Sequence, residues 1–293
     1  MTHPRRWVVG PDAAGLRLDQ AVAALTGLSR RRSRERLAAG EVALNGKVTR
    51  SQSRPVGFGD VVDLLGDPAG TVPVPPPEIR VLYADGELLA VDKPAGELSQ
   101  PAATRAPGEL ACDERVLLAL AHAEGRPPFL RLIHRLDRTT SGVLLFARSP
   151  GALKPLTEIW QRGAAERVYL AVVDGDVAFE NETITAPIGR DSSTAWRFRV
   201  DLDGKPAATE VTVRRRGDGW ALVECRLHSG RTHQVRVHLA HRGHPVRGDR
   251  LYGSTTEAPR ALLHAWRLGL PHPTKGHRVE IEAPVPGELG EGP

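Results

Sequence analysis

The feature that most constrains the fold is a run of turn-forming residues that leads directly into an apolar segment. Residues 139–142, Thr-Thr-Ser-Gly, favour local side-chain-to-backbone hydrogen bonds and a tight turn rather than a helix. Residues 143–147, Val-Leu-Leu-Phe-Ala, are typical of a short buried strand. Asp137 is therefore predicted on a loop at the mouth of a strand, where catalytic groups often stand on a rigid scaffold. The residues alone also allow a structural role, in which Asp137 caps the turn and pairs with a neighbouring arginine.

The positive charge of the chain is concentrated at its start. The 293 residues carry a formal net charge of +5, and 40% of them are hydrophobic. This is enough for a core in one large domain or in a large and a small one. Residues 1–65 contain 11 Lys and Arg against 6 Asp and Glu, so this first fifth holds the whole excess. Such an asymmetry is typical of a nucleic-acid-binding module.

Cysteine usage and hydropathy exclude several classes of protein. The two cysteines, Cys112 and Cys225, supply neither a disulfide framework nor a paired metal motif. Residues 1–6 are not followed by the apolar segment of a signal peptide, and no stretch approaches the roughly 18 apolar residues of a membrane span. We therefore expect a soluble, cytoplasmic protein without membrane contact, and a monomer.

The first 65 residues predict a small αβ module. Two helices are indicated, the second capped by Ser29 and ended by Gly40. Asn45-Gly46 predicts a hairpin turn, and residues 61–65 predict a last strand. The second helix carries five arginines and one glutamate, the arginines being Arg30, Arg31, Arg32, Arg34 and Arg36. Charge runs are usually solvated faces, but a face this unbalanced repels itself unless phosphates neutralise it.

A proline-rich segment separates this module from the rest of the chain. Four prolines lie within residues 73–77, and proline stiffens a chain into an extended spacer. We therefore predict a module at residues 1–65, a linker at residues 66–78 and a second region at residues 79–293.

The segment around Asp137 resembles a known signature. Seven fixed positions of the motif His-Arg-Leu-Asp-x-x-Thr-Ser-Gly are met by His134, Arg135, Leu136, Asp137, Thr140, Ser141 and Gly142. This motif is similar to that of the RluA-type pseudouridine synthases, which isomerise uridine in ribosomal and transfer RNA. The resemblance implies that Asp137 is the essential catalytic residue. It also implies an α+β fold for residues 79–293, with a mixed, mainly antiparallel central sheet flanked by helices.

The N-terminal region resembles a second known unit. Residues 28–31, Leu-Ser-Arg-Arg, and residues 42–47, Val-Ala-Leu-Asn-Gly-Lys, are similar to the alpha-L RNA-binding module that often precedes the catalytic domain of these synthases. The implied role is docking of RNA by phosphate contacts, not chemistry. The candidate contact residues are Arg30, Arg31, Arg32, Arg34 and Lys47.

Two later segments resemble further motifs of the family. Residues 167–173 are similar to Lys-x-Tyr-x-Ala-x-Val, whose tyrosine stacks on the target base, which implies that role for Tyr169; Arg167 stands where the family has lysine. Residues 230–238 are similar to Gly-Arg-Thr-His-Gln-Ile-Arg-x-His, whose first arginine, here Arg231, ion-pairs with the catalytic aspartate. In this segment Thr232 is predicted to cap a helix.

The implied reaction breaks the bond from ribose to a uracil nitrogen, rotates the base and rejoins it through a ring carbon. The base must leave the RNA helix, and Arg135 resembles the family residue that fills the vacated place. A carboxylate in a pocket tends to be protonated, so Asp137 needs a cationic partner, which Arg231 would supply. Tyr169 is also a candidate base for the proton that is lost. Whether Asp137 attacks the ribose or the base stays open.

No cofactor and no metal are expected, and several alternatives stay open. The reaction has no redox change, and the histidines between residues 228 and 244 lack the spacing of metal ligands. A sugar hydrolase would need a second carboxylate within about 5–10 Å, and the signature contains none. A non-catalytic RNA-binding protein need not keep Asp137, Tyr169 and Arg231 together. Ribosomal RNA is the preferred partner, with transfer RNA as the alternative.

Overall fold

The chain forms two compact units. The computed structural model describes residues 5–66, 73, 75–194 and 196–290. The first unit comprises Met1–Ile79 and Gln100–Leu130, and the second comprises Arg80–Ser99 and Arg131–Pro293. Most of the predicted linker, residues 66–78, lies outside the described residues, and the three predicted domain ranges stay a prediction.

The first unit is a small sheet with helices. Its strands pair in the order β1-β4-β2-β3, all antiparallel. The elements are β1 (Arg5–Val8), α1 (Leu18–Thr26), α2 (Arg30–Ala39), β2 (Val42–Leu44), β3 (Lys47–Val48), β4 (Val61–Leu64) and α3 (Cys112–Glu124). A core that includes Trp7, Leu18, Leu37 and Val62 holds α1 and α2 on the sheet.

Local sequence signals determine how these elements begin and end. The Ser29 hydroxyl accepts a hydrogen bond of 3.3 Å from the Arg32 N–H and so caps α2, and Gly40 ends α2 in the left-handed conformation. Asn45 and Gly46 both have positive φ, 53° and 76°, as the hairpin turn between β2 and β3 requires. The two helices, the hairpin turn and the last strand predicted from these signals are observed, and the unit also contains β1 and α3, which these signals did not indicate.

The second unit contains a mixed sheet. Its main path runs in the order β10-β13-β14-β9-β15-β8-β6-β5, with β16 paired to β15 and β7 to β8. The elements are β5 (Val81–Ala84), β6 (Leu88–Lys93), β7 (Arg131–Leu132), β8 (Ser141–Ala147), α4 (Pro150–Gln161), β9 (Glu166–Asp174), β10 (Asn181–Thr185), β11 (Ile188–Arg190), β12 (Phe198–Val200), β13 (Ala208–Gly217), β14 (Trp220–Leu227), α5 (Gln234–His241), β15 (Leu263–Pro271), β16 (Arg278–Glu282) and α6 (Gly287–Gly290). Because β8 and β15 are parallel while the other described pairs are antiparallel, the prediction of a mixed, mainly antiparallel sheet is confirmed.

The signature turn sits where these two parallel strands meet. Gly142 has φ of 112°, and a Cβ atom there would lie 2.1 Å from the Ala265 carbonyl oxygen in β15. Glycine is therefore required for the strands to approach so closely. The seven residues of β8 are all buried, as their apolar run predicts.

One predicted boundary is wrong. Thr232 does not cap α5, because the helix follows His233, which adopts the left-handed conformation with φ of 57°. The chain thus turns one residue later than the hydroxyl of Thr232 suggested. In the described ranges, no helix combines the length and the apolar character needed to span a bilayer.

Candidate active site

Asp137 lies on the loop between β7 and β8, as predicted. Its carbonyl oxygen accepts a hydrogen bond of 3.0 Å from the Thr140 N–H, which closes the signature turn. The buried Ser99 hydroxyl contacts both backbone groups of Leu136, accepting from its N–H at 2.9 Å and donating to its carbonyl at 2.8 Å. The side chain of Asp137 is 26% exposed. The carboxylate is therefore held from behind by backbone contacts and stays open to a substrate.

A lysine outside the predicted site anchors the other side of this loop. The fully buried Lys93 amine, at the end of β6, donates to the carbonyls of Pro94 and Glu97, at 2.8 Å each, and of Arg138, at 3.4 Å. The Arg138 carbonyl also accepts from the Gly96 N–H at 2.7 Å. Lys93 thus positions the residue next to Asp137.

The predicted ion pair between Asp137 and Arg231 is wrong, because Arg236 makes it. The Arg236 Nη1 donates to Asp137 Oδ2 at 3.0 Å. Arg231 instead donates from its Nε to the Pro206 carbonyl at 3.0 Å. The two arginines belong to one motif, but Arg231 precedes the turn at His233, whereas Arg236 is on the first turn of α5.

Arg236 is clamped between two carboxylates. Its Nε and Nη2 donate to Asp249 Oδ2 and Oδ1 at 2.6 and 2.9 Å, a bidentate pair that is almost fully buried. Its guanidinium lies 5.0 Å from the centre of the Tyr252 ring. Burial alone would lower the pKa of Arg236, but the hydrogen bonds and charge of Asp249, with those of Asp137, raise it well above the ordinary value. The permanent cation that Asp137 needs is therefore present.

His233 is a second neighbour of Asp137 that the sequence analysis did not single out. Its Nε2 lies 3.7 Å from Asp137 Oδ1, and its Nδ1 lies 2.8 Å from the Tyr252 hydroxyl. Burial is the main cause that lowers the pKa of His233, and Asp137 only partly opposes it. The Tyr252 oxygen already accepts the Phe198 N–H at 3.0 Å, so its proton is available to His233 Nδ1. A neutral His233 with its proton on Nε2, facing Asp137, satisfies these contacts.

Tyr169 is placed near Asp137 on β9. It pairs in register with Cys225 and Ala265 on the flanking strands and packs on the main core. Burial raises the pKa of Tyr169 to about 12, and the negative charge of Asp137 contributes in the same direction. A phenol with this pKa is protonated at neutral pH, so it is poorly suited to the role of base predicted for it.

The arginines of the N-terminal module are exposed, but part of their charge is compensated. Arg30, Arg31, Arg32, Arg34 and Lys47 all lie on the surface. The fully buried carboxylate of Asp19 is 2.8 Å from Arg34, 3.4 Å from Arg17 and 3.5 Å from Arg30. Burial would raise the pKa of Asp19, but the hydrogen bonds from Arg34 and Arg17 outweigh it and lower the pKa. The expectation of an uncompensated arginine face is therefore only partly correct, since three guanidiniums share one carboxylate.

The described site thus consists of a loop carboxylate, Asp137, held between Arg236 and His233, with Arg135 exposed on the same loop and with Tyr169 close enough for the charge of Asp137 to affect its pKa. A partly exposed, ion-paired carboxylate on a mixed sheet, in a chain that also carries a small basic module, agrees with the class of RNA-modifying isomerases that the motifs indicated.

Comparisons with known proteins agree with this class. Residues 87–241 match the family model for RNA pseudouridylate synthase, and residues 16–62 match the S4 domain. The chain is 37% identical to "Ribosomal large subunit pseudouridine synthase D" of Xylella fastidiosa, covering 97% of this chain and 90% of that protein. It is 35% identical to "Uncharacterized RNA pseudouridine synthase YlyB" of Bacillus subtilis, covering 86% and 84%.

Solved structures show the same relationship. "Human RNA Pseudouridylate Synthase Domain Containing 1" matches with a TM-score of 0.61 and 26% identity, covering 73% of this chain and 86% of that one. "Human RNA Pseudouridylate Synthase Domain Containing 4" shares the fold, with a TM-score of 0.59. The chain belongs to the RNA pseudouridylate synthase family. It is an RNA pseudouridine synthase, an isomerase with RNA as its substrate and an N-terminal S4 domain.

Proposed function

We propose that the chain isomerises specific uridines of large-subunit ribosomal RNA, with Asp137 as the catalytic residue. The choice of RNA is supported by relatives named ribosomal large subunit pseudouridine synthase D, which are 34–37% identical over nearly the whole chain. The single observation that carries the catalytic assignment is the contact of 3.0 Å from Arg236 to a carboxylate that is still 26% exposed.

In the proposed mechanism, the target base leaves the RNA and approaches the exposed side of Asp137. Arg135, exposed on the signature loop, fills the place that the base leaves. Asp137 then acts on the nucleotide, either as a nucleophile or by stabilising positive charge at the sugar, while Arg236 keeps its second oxygen occupied. Asp137 Oδ1, opposite His233, is the oxygen that faces fewer strong donors and is the better placed to react.

Tyr169 and Arg231 take modified roles in this proposal. Tyr169 stacks on the uracil and stays protonated, since its pKa of about 12 disfavours the phenolate. Arg231 contacts the RNA backbone rather than Asp137, because its guanidinium is only partly buried and is held by a single described carbonyl, that of Pro206. The proton lost from the ring carbon passes instead to Asp137, the proposed acceptor.

The proposal also covers how the RNA is bound and where in the cell the enzyme acts. The S4 domain binds RNA by phosphate contacts from Arg30, Arg31, Arg32, Arg34 and Lys47. The enzyme acts as a monomer in the cytoplasm, where ribosomal RNA is available, and no cofactor or metal takes part. Transfer RNA is the alternative substrate.

One assay tests the reaction and its residue together. Large-subunit ribosomal RNA and transfer RNA, both transcribed with tritium at carbon 5 of uridine, are incubated with the enzyme, and released tritium and pseudouridine are measured. We expect tritium release and pseudouridine from ribosomal RNA, and neither product from Asp137→Ala, which should still bind RNA. Free uracil would instead indicate a hydrolase, and binding without either product would indicate an adaptor. A fully active Asp137→Ala variant would reject the catalytic assignment.

A further inference from the structure

Arg167 is a buried cation to which the described residues offer no anionic partner. It is 6% exposed, and its Nε is buried and has no hydrogen-bond partner among those residues. Its guanidinium lies 5.2 Å from the centre of the Trp160 ring, but it makes no hydrogen bond or ion pair with any residue that the structure describes. An ion removed from water costs several kcal/mol unless it is paired. An anionic ligand bound next to Arg167 would offset this cost.

The surroundings of Arg167 do not supply the missing charge. His134 is stacked on Trp160, with 4.2 Å between ring centres, and its pKa falls to about 3 because of burial and the nearby charge of Arg167. Tyr169, on the same face of β9, is a neutral phenol. The neighbouring carboxylate, Glu166, points to the other face, where it pairs with Arg226 and Arg278. The groups that face Arg167 are therefore neutral.

The guanidinium of Arg167 is packed against a glycine. A Cβ atom at Gly230 would come within 2.6 Å of Arg167 Nη1, so only glycine leaves the guanidinium in its place. Gly230 begins the segment that leads through Arg231 to His233 and Arg236, so Arg167 adjoins the segment that carries the active-site residues. The unpartnered Nε of Arg167, next to this segment, is the observation that indicates a missing ligand.

We propose that Arg167 binds a backbone phosphate of the RNA strand next to the nucleotide that Tyr169 faces. This inference rests on the proposed function, since it requires RNA bound next to Asp137 and Tyr169. A phosphate has the full negative charge that a buried guanidinium lacks, and its oxygens match the guanidinium fork. Arg167 lies two residues from Tyr169 on one face of one strand, so a nucleotide stacked on Tyr169 brings its own phosphates within reach of that face.

The salt dependence of RNA binding tests this contact. Binding of unmodified, in vitro transcribed large-subunit ribosomal RNA is measured from 50 to 300 mM salt in the Asp137→Asn background, so that no turnover interferes. We expect Arg167→Gln to reduce the slope of log affinity against log salt by about 0.7–0.9, the value of one phosphate contact. Arg167→Lys should keep the slope, because it keeps the charge. Arg278→Gln, which removes an exposed arginine from the other face, is the control and should leave the slope unchanged.

Stability separates this contact from a structural role. Because the variant loses an unpaired buried charge, Arg167→Gln should melt at the same temperature as the parent or higher. An unchanged salt slope in Arg167→Gln, with or without a lower melting temperature, would overturn the proposal. Should Arg167→Gln fail to fold, Arg167→Met decides, since it keeps an unbranched side chain but removes the charge and should lower the slope by the same amount. Failure of the tritium assay would reject the proposed reaction without changing this result.

Discussion

The active site and the S4 domain combine arginine and aspartate in opposite proportions. In the active site one guanidinium, Arg236, lies between two carboxylates, Asp137 and Asp249. All the donors of Arg236 that are described point to these two groups, and Asp249 is almost fully buried behind it. The formal charge of this triad is −1, and of its two carboxylates only that of Asp137 is partly exposed to solvent.

In the S4 domain the proportion is reversed. One carboxylate, Asp19, is fully buried beneath three guanidiniums, those of Arg17, Arg30 and Arg34, whose side chains are about half exposed. The formal charge of this cluster is +2. The buried partner holds the arginines in place without cancelling their charge.

The difference shows that arginine and aspartate form clusters of opposite net charge for catalysis and for RNA binding. In the active site a buried cation positions an anion that must react, so the strength of the pair matters for chemistry. In the S4 domain a buried anion positions cations that must meet phosphates, so the excess charge matters for binding. Substitutions that alter each charge balance should therefore have separate consequences, activity in one region and stability or affinity in the other.

The largest effect is expected from Arg236→Lys. Lysine keeps the charge but has no fork, so it cannot contact Asp137 and hold Asp249 by two bonds at once. We expect kcat/KM in the tritium assay to fall at least about 10²-fold, the usual cost of misplacing a catalytic group by 1 Å. The free energy of unfolding should fall by about 1–3 kcal/mol, because the buried Asp249 loses a charged hydrogen bond.

The matched control for this variant is Arg226→Lys, which changes an arginine paired with Glu166 at the sheet surface. It should keep both activity and stability within about twofold and about 0.5 kcal/mol, as surface substitutions do. Wild-type kcat/KM in Arg236→Lys would show that the geometry of the triad does not matter for the reaction.

The next effect concerns Asp19→Asn, the same kind of exchange on the other side of the comparison. The three arginines would lose their shared negative charge, and we expect the free energy of unfolding to fall by about 1–2 kcal/mol, since each half-exposed pair contributes about 0.2–1 kcal/mol. RNA affinity should stay equal or increase, because the positive charge rises by one. Urea denaturation and filter binding measure the two quantities, and a large loss of affinity with intact folding would contradict the model.

The parts of the fold that depend on short-range signals could be predicted from the sequence. The cap at Ser29, the left-handed Gly40 and the Asn45-Gly46 turn each need only neighbouring residues, and the structure has all three. The buried strand after the signature follows from an unbroken apolar run. Motif resemblance added the family, which the comparisons confirm.

The partner of Asp137 could not be predicted because it depends on one unusual backbone conformation. Arg231 and Arg236 are five positions apart, and both are suitable cations by residue type. His233 in the left-handed region, which is uncommon for a residue other than glycine, makes the turn that starts α5 and presents Arg236 to Asp137. The contacts of Asp249 and Tyr252 with this site join segments 13–19 residues apart, and no periodicity indicates them.

A smaller effect is expected from Arg31→Gln with Arg32→Gln on the exposed face of α2. Neither contacts Asp19, so the pair tests the docking charge without disturbing the buried carboxylate. We expect the slope of log affinity against log salt to fall by about 1.5 if both residues contact phosphates, with kcat at saturating RNA unchanged. Arg267→Gln with Arg278→Gln removes the same charge elsewhere and serves as the control. Equal slopes for the two double variants would show that Arg31 and Arg32 make no phosphate contact.

The last effect concerns pH and a neutral histidine, His134, in contrast to the charged triad of the active site. Burial and the charge of Arg167 lower the pKa of His134 to about 3, and its Nε2 accepts the Leu145 N–H at 3.2 Å, which requires an unprotonated nitrogen. In the unfolded chain this histidine has an ordinary pKa near 6.5. Below that value the unfolded state binds a proton that the folded state does not bind, so the stabilisation is complete above pH 6.5 and decreases as the pH falls towards 3.

At pH 5 the free energy of unfolding that is lost through His134 should be about 2 kcal/mol relative to pH 7.5. His134→Gln, which keeps an acceptor for Leu145 but does not titrate, should lose correspondingly less stability over the same range in urea denaturation. Because other titrating groups are shared by the two proteins, their effects cancel in the difference. Identical pH profiles would mean that His134 has the same pKa in the folded and the unfolded protein.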